Sequence, residues 1–223
     1  MLRAACLLFF MVSACAADGL EDVLKRMDDA AARFVGLSAQ LTYTKVTVVV
    51  DDKSTESGTI YFQKEKGGKG YKVKIEITQP DPKTVLVRDG KVKIYRPKIN
   101  QIEEYDVGKK KELMEQFLLL GFGAGGHELA KAYGVTLGGA CNLNGAACIK
   151  LDLQPKGDMT RNLTKVELWL SPETALPMQQ RFTEPTRDHL TASYQQVKPG
   201  PQADSVFKIN APSGVKTVKP GQE

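Results

Sequence analysis

Histidine and cysteine are scarce in this chain of 223 residues, which contains two of the first and four of the second. Neither His127 nor His189 lies in a His-Glu-x-x-His pattern, so the sequence has no zinc-protease signature. A Gly-x-Ser-x-Gly elbow, the usual mark of a serine hydrolase, is also missing. Glu103 and Glu104 are adjacent on a predicted strand, where neighbouring side chains point to opposite faces. We therefore predict a protein that is not an enzyme and binds no cofactor or metal.

The glycine-rich stretch from Gly121 to Gly126 has the spacing of a dinucleotide-binding loop but not its context. That loop follows a strand and opens a helix within a βαβ unit, whereas this stretch follows a predicted helix. We interpret it as a hinge between two short helices.

Net charge is modest, since 31 Lys and Arg residues stand against 26 Asp and Glu residues, a difference of +5. The basic residues alternate along predicted strands, where Lys protects sheet edges from aggregation. They accompany no helix-turn-helix, zinc-finger or RNA-binding signature, so we predict no nucleic-acid partner.

Residues 1–17 resemble a secretory signal peptide, with Arg3 before a short apolar stretch and small residues around Ala16. The apolar stretch is shorter than the roughly 20 residues that cross a bilayer. We predict export to the periplasm. A second interpretation stays open, because the residues before Cys15 also resemble a bacterial lipobox, which would make Cys15 a lipidated first residue of an outer-membrane protein.

Removal or lipidation of the N-terminal cysteines leaves one pair, Cys141 and Cys148, on either side of an Asn144-Gly145 turn signal. In an oxidising compartment we predict a structural disulfide across this hairpin. A zinc site is excluded by the absence of further ligands nearby.

Apolar and polar residues alternate through the region from Gly58 to Asp106. Val73, Ile75 and Ile77 alternate with polar neighbours, and an Asp89-Gly90 turn separates two later segments. This period of two predicts antiparallel strands with one apolar face.

The order of elements predicts one domain over residues 18–215, followed by a flexible tail at 216–223. An amphipathic helix is expected from Asp18 to Phe34, and two short helices at Lys109–Leu120 and His127–Tyr133. Strands fill most of the remainder, including one at Val206–Lys208. The fold class is mainly β with α, an antiparallel sheet with helices on one side.

The apolar face is the candidate binding site. By strand parity the inward residues include Ile60, Phe62, Val166, Leu168, Leu170, Met178 and Phe182. On the pattern alone, an ordinary packed core explains these residues better than a ligand cavity does.

Three groups of segments together resemble the periplasmic outer-membrane lipoprotein carriers of the Lol system. They are GTIYFQK (Gly58–Lys64); TQP, VLVRDGK and IYRP between Thr78 and Pro97; and SYQ from Ser193 with FKINAP from Phe207 and Gly214-Val215. The resemblance covers nearly the whole chain after the signal peptide.

This resemblance implies an incomplete antiparallel β-barrel, a half-barrel with the N-terminal helix and two lid helices over its concave apolar face. Phe117, Leu120 and Phe122 would belong to the lid. Such a carrier, acting as a monomer, takes lipoprotein acyl chains from an inner-membrane transporter to an outer-membrane receptor. Shelter is needed because exposing acyl chains to water costs about 0.8 kcal/mol per methylene.

The sequence departs from the family at Lys64, where the family has an Arg that bonds the lid. Lys keeps the charge but lacks the planar guanidinium fork, so we predict a looser latch. Two alternatives of the same fold stay open: an outer-membrane receptor lipidated at Cys15, and a module that senses lipids for regulation.

Overall fold

Twelve strands form one open sheet in the computed structural model, which describes residues 19–65, 70–106 and 120–220. Across the sheet the strands lie in the order β12-β6-β5-β4-β3-β2-β1-β11-β10-β9-β8-β7, and the two edge strands, β7 and β12, do not pair with each other. In chain order they are β1 (Gly36–Thr47), β2 (Asp52–Lys64), β3 (Tyr71–Gln79), β4 (Lys83–Arg88), β5 (Lys91–Arg96), β6 (Gln101–Asp106), β7 (Tyr133–Leu143), β8 (Ala146–Pro155), β9 (Lys165–Leu170), β10 (Pro177–Thr183), β11 (His189–Pro199) and β12 (Lys216–Val218). The predicted fold class, mainly β with an open sheet and an N-terminal helix, is confirmed.

Two α-helices are described, α1 (Leu20–Arg33) and α2 (Gly126–Ala132). Asp22 accepts a hydrogen bond from the backbone N–H of Gly19 at 3.3 Å, which satisfies a free donor at the start of α1. Val23, Leu24 and Met27 are buried on one face of α1, as helical spacing predicts. Within the described residues, no helix is both long enough and apolar enough to cross a membrane.

Strand register places the apolar residues on the sheet face that carries α1, which we call the inner face. Leu37, Phe62, Val73, Val87 and Val92 are successive cross-strand partners from β1 to β5. Because partners in a sheet point to the same side, these five side chains form one apolar row.

The inner face is divided between two hydrophobic clusters. The helix cluster lies beneath α1 and α2, and combines Val23, Met27 and Leu129 with residues of β8, β9 and β10. The aromatic cluster lies over β1, β2, β3 and β11, and includes Phe62, Phe122 and Tyr194. Among the described residues, helices cover the first cluster, whereas Phe34, Phe122 and Leu176, which lie outside helices and strands, pack on the second.

The outer face of β3 to β6 is crossed by the chain that follows β11. Asp204 pairs with Lys72 at 2.5 Å and with Arg88 at 3.5 Å, and Phe207 is buried nearby. The predicted strand at Val206–Lys208 is wrong, because residues 204–206 form a single 3-10 turn. The interaction that holds this segment is therefore ionic and apolar instead of a strand pairing.

The C-terminal residues also differ from expectation. We predicted a flexible tail from residue 216, but Lys216–Val218 pair in parallel with Gln101–Glu103 of β6. The backbone N–H of Lys216 also donates to the carbonyl of Asn100 at 3.1 Å. Backbone hydrogen bonding to a free sheet edge does not require an apolar side-chain pattern, so the sequence carried no sign of it.

Cys141 and Cys148 lie directly opposite each other on β7 and β8 and are joined by a disulfide, with a Cα–Cα distance of 4.9 Å. The bond closes a short loop around the Asn144-Gly145 turn. Loop-closure entropy predicts that reduction lowers the free energy of unfolding by about 2–3 kcal/mol. Urea denaturation with and without a reductant measures this. Equal midpoints and slopes would show that the hairpin is held by its strand pairing alone.

Candidate functional site

Residues 120–125, which we call the crossing segment, lie against the inner face between the helix cluster and the aromatic cluster. Leu120 is buried in the helix cluster and Phe122 in the aromatic cluster, at 2% and 0% exposure. Gly121 and Gly123 have φ of +74° and +76°, a backbone region that only glycine adopts without strain. These glycines let the chain turn around Phe122 so that its ring points into the sheet.

The Phe122 ring is held by two aromatic neighbours. Its centroid lies 5.3 Å from that of Phe62, at an interplanar angle of 33°, and 4.9 Å from that of Tyr194, edge to face. Such pairs contribute about 0.5–1.5 kcal/mol beyond the burial of their area. The Phe122 ring, which comes from outside the sheet, thus covers Phe62 within the aromatic cluster.

A buried polar network ties the crossing segment to β10 and β11. Gln180, 2% exposed, donates from Nε2 to the carbonyl oxygen of Leu120 and accepts from the Tyr194 hydroxyl at 2.9 Å. Burial raises the pKa of Tyr194, so its hydroxyl stays protonated and available as a donor. Buried hydrogen bonds of this kind fix one position of the segment because no water replaces them.

Towards β6 the inner face continues as an apolar trough, which we define by Ile75, Val85, Val92 and Ile94. All four side chains are only half-buried. Ile60, Ile75, Val85 and Ile94 are successive cross-strand partners, so the trough extends the buried floor without a break.

Ion pairs border the trough on two sides. Lys83 contacts Glu56 at 2.6 Å, and Arg96 contacts Glu103 at 3.0 Å. The Arg96 hydrogen bond lowers the pKa of Glu103, and burial together with Glu56 raises the pKa of Tyr43 to about 12. The apolar surface therefore ends at groups that remain paired and polar at neutral pH.

Six of the seven residues predicted to line a cavity lie in the two clusters. Ile60 and Phe62 are buried in the aromatic cluster, beneath Phe122. Val166, Leu168, Leu170 and Phe182 are buried in the helix cluster. Their predicted inward orientation agrees with the structure, where they are packed core.

Met178 differs from the other predicted cavity residues. The pairing of β9 with β10 is irregular between Pro177 and Gln179, and Met178 is the extra residue there, half-buried and in neither cluster. A bulge breaks the period-two pattern, so parity counted along the sequence placed Met178 wrongly.

The predicted latch and lid are found only in part. The Lys64 backbone N–H donates to the Val35 carbonyl at 2.9 Å, and the Lys64 side chain makes no hydrogen bond or ion pair with the described residues. Phe117 and the predicted helix Lys109–Leu120 lie outside the described residues, apart from Leu120 itself. A latch at Lys64 thus stays a prediction, and so does the lid helix.

Sequence reasoning missed Gln180 and all four trough residues as site candidates, and Ile75 was considered only as part of an alternating strand pattern with Val73 and Ile77. A signal for Gln180 was present, since it lies between Met178 and Phe182 in an otherwise apolar set of alternate residues. A polar side chain in such a set needs a buried partner. That partner, the Leu120 carbonyl, is a backbone atom distant in sequence and could not be foreseen.

The His127 side chain joins α2 to α1. Its Nδ1 contacts the Asp28 carboxylate and its Nε2 lies 3.0 Å from Glu21 Oε1, on opposite sides of the ring. Hydrogen bonds that the charged His127 ring donates to Asp28 and then to Glu21 raise the pKa of His127 above its usual 6.5. Burial acts to raise the pKa of Asp28, but the hydrogen bonds donated by the His127 ring and backbone outweigh it, and the pKa of that carboxyl is lowered.

We expect this contact to make stability depend on pH. Because the pKa of folded His127 is raised, its contribution is complete below about pH 6.5 and is lost as the pH rises through the folded value. Substituting His127→Gln should therefore reduce the free energy of unfolding more at about pH 5.5 than at about pH 8. Denaturation of both proteins across this range measures the difference. An equal reduction at both pH values would contradict a contribution from the charged imidazole.

Carboxylates on opposite sides of an imidazole ring do not converge on one point. In agreement, the described part of the chain contains no group of three His, Cys, Asp or Glu side chains that could hold a metal ion.

A family model described as "Outer membrane lipoprotein carrier protein LolA" matches residues 36–210, from the start of β1 to beyond the buried Phe207. The chain belongs to the LolA family. The resemblance inferred from the sequence is therefore confirmed. Among curated proteins, none matches the chain in sequence.

Solved structures share the fold of this LolA-family protein at low sequence identity. An uncharacterized conserved protein from Thermus thermophilus is 12% identical with a TM-score of 0.56, over 89% of this chain and 98% of that one. MucB of Pseudomonas aeruginosa is 17% identical with a TM-score of 0.56, and the match covers 86% of this chain but 63% of MucB. The Mycobacterium tuberculosis lipoprotein LppX is 8% identical with a TM-score of 0.52, over 82% of this chain and 97% of LppX.

Proposed function

We propose that this protein is a periplasmic carrier that shelters the acyl chains of lipoproteins and moves them from the inner to the outer membrane. Membership of the LolA family and the signal-like residues 1–17 support this proposal. An inner-membrane releasing transporter and an outer-membrane receptor are the partners that such a carrier requires.

The observation that carries the proposal is the way in which Phe122 fills the inner face. The ring comes from a glycine-flanked segment and rests on Phe62 and Tyr194, at the buried end of the trough. An acyl chain has the same apolar character and takes the place of this ring when the crossing segment moves away. The vacated floor then joins the trough of Ile75, Val85, Val92 and Ile94 into one surface.

The energetic balance suits loading and release. Exposing the vacated apolar floor to water would be unfavourable, because burial of each methylene group stabilises the protein by about 0.8 kcal/mol. Phe122 covers the floor in the empty protein, and the cargo covers it in the loaded protein. A partner that binds one of the two states more tightly then shifts the balance towards that state.

MucB supports a second candidate function, a module that senses lipids or lipoproteins for regulation. Its fold is shared, and one solved structure with a TM-score of 0.51 shows MucB in complex with MucA(peri). In this candidate the same apolar face reports its occupancy to a partner protein instead of delivering the cargo.

Native mass spectrometry of the protein purified from a Gram-negative envelope tests these functions. A soluble protein that begins after Ala16 or Ala17, with a lipid or lipoprotein bound, is the result expected of the carrier. A diacylated Cys15 would contradict the soluble carrier and support a membrane-anchored receptor or sensor. A protein that never carries a lipid, from any fraction, would overturn the proposed function.

A further inference from the structure

A cleft of about 270 Å³ opens at the end of the sheet where α1 meets β1. The last residues of α1, the turn from β9 to β10 and the end of β11 surround it. Ala30, Phe34, Val35 and Leu176 supply its apolar surface, and Arg33, Glu173 and Thr174 its polar surface. We call this space the portal cleft.

The portal cleft shares two of its lining residues with the aromatic cluster. Phe34 and Leu176 belong to that cluster together with Phe122, and both are more than nine-tenths buried. The crossing segment packs directly against Phe34, since a Cβ built on Gly123 would lie 3.0 Å from Phe34 Cδ1. Phe34 and Leu176 thus line the portal cleft and also belong to the cluster that holds the Phe122 ring.

The rim combines exposed apolar surface with two charges that lack partners. Val35 is 47% exposed, although it directly follows the buried Phe34. Arg33 and Glu173 are both exposed, and within the described residues neither side chain forms an ion pair or hydrogen bond. Opposite charges on one rim leave it neutral, which suits a polar head that stays in water while its apolar part passes inwards.

The size of the cleft favours passage over storage. Binding sites for whole small ligands measure about 300–1,000 Å³, and the portal cleft lies just below this range. It accommodates part of one extended chain, while the trough and the floor under Phe122 offer the longer apolar surface.

We propose that the portal cleft is the route by which an acyl chain enters the inner face, passing between Phe34 and Leu176 to displace Phe122. The proposal rests on the proposed function, because it requires that an acyl chain binds there. It assigns Val35 and Thr174 to the route, and Arg33 and Glu173 to the rim where the polar head remains.

Stopped-flow fluorescence with dansyl-undecanoic acid tests the route in the full mature protein. Val35→Trp and Thr174→Trp each place a large ring in the cleft at an exposed position, and far-UV circular dichroism checks that each variant folds. A blocked route raises the same barrier in both directions. We expect association and dissociation rates to fall together by about tenfold, the effect of about 1.4 kcal/mol on a barrier, with Kd unchanged. Val50→Trp, the same change at an exposed valine far from the cleft, should leave both rates unaltered.

The other outcomes are distinct. Unchanged rates in both folded cleft variants would overturn the portal. A change in Kd with an unchanged association rate would also overturn it, because the cleft would then be part of the final site. Absence of dansyl-undecanoic acid binding to the unsubstituted protein would instead overturn the proposed function.

Discussion

Replacing Phe122 by alanine should lower the free energy of unfolding of the ligand-free protein and raise its affinity for acyl chains. Phe122 is fully buried between Phe62 and Tyr194, so truncation leaves a cavity on the inner face. Loss of a buried phenylalanine ring costs about 3–5 kcal/mol of unfolding free energy. An acyl chain fills the same space and no longer has to displace the ring, so its apparent affinity rises.

Chemical denaturation with and without dansyl-undecanoic acid measures both effects. The ligand should restore stability to Phe122→Ala by more than it adds to the unsubstituted protein, because binding is linked to folding. The titrated Kd should fall in the same variant.

Phe207→Ala is the matched control. Phe207 is as deeply buried as Phe122, but it belongs to the segment on the outer face of the sheet. The same truncation there should cost a similar amount of stability, about 3–5 kcal/mol, without any gain in acyl-chain affinity. If both variants gained affinity equally, the effect would come from general loosening, and Phe122 would not occupy the binding site.

Much of the sheet was predictable because its signal is local. The alternation through Val73, Ile75 and Ile77 follows from the pleat of a strand, which turns successive side chains to opposite faces. The same argument placed Ile60, Phe62, Val166 and Leu168 on the inner face correctly. It failed at Met178, where a bulge adds one residue to the strand.

Features that depend on distant parts of the chain were not predictable. The partner of β1 across from β2 is β11, and nothing in either sequence specifies that pairing. The parallel pairing of Lys216–Val218 with β6 uses backbone groups only. Likewise, the apolar surface beneath Phe122 is packed core when the crossing segment covers it and a cavity when the segment moves away. Strand parity gives only the face on which the side chains lie, so it does not distinguish the two cases.

Replacing Gln180 by methionine should release the crossing segment. Methionine keeps the length and buries well, but it removes the donor to the Leu120 carbonyl and the acceptor of the Tyr194 hydroxyl. Each group left buried without a partner costs about 1–3 kcal/mol. We expect a loss of several kcal/mol in the free energy of unfolding, together with faster hydrogen exchange at the amides of residues 121–125.

The neighbouring residue supplies the control for this change. Gln179 points to the other face, where its Oε1 accepts from the Ser193 hydroxyl at 2.9 Å in a part-buried contact. Gln179 is 9% exposed against 2% for Gln180 and has no hydrogen bond to the crossing segment, so Gln179→Met should cost less and leave the exchange of residues 121–125 unaltered.

A double substitution separates the network from simple loss of packing. Tyr194→Phe removes the hydroxyl that Gln180→Met leaves without an acceptor, so the second change should cost less in the Gln180→Met protein than alone. The coupling in this double-mutant cycle should be about 0.5–3 kcal/mol, as for residues within one hydrogen-bond network. Additive costs would mean that Gln180 and Tyr194 stabilise the fold independently. In that case the Gln180 bond to the Leu120 carbonyl would hold the crossing segment without help from the Tyr194 hydroxyl.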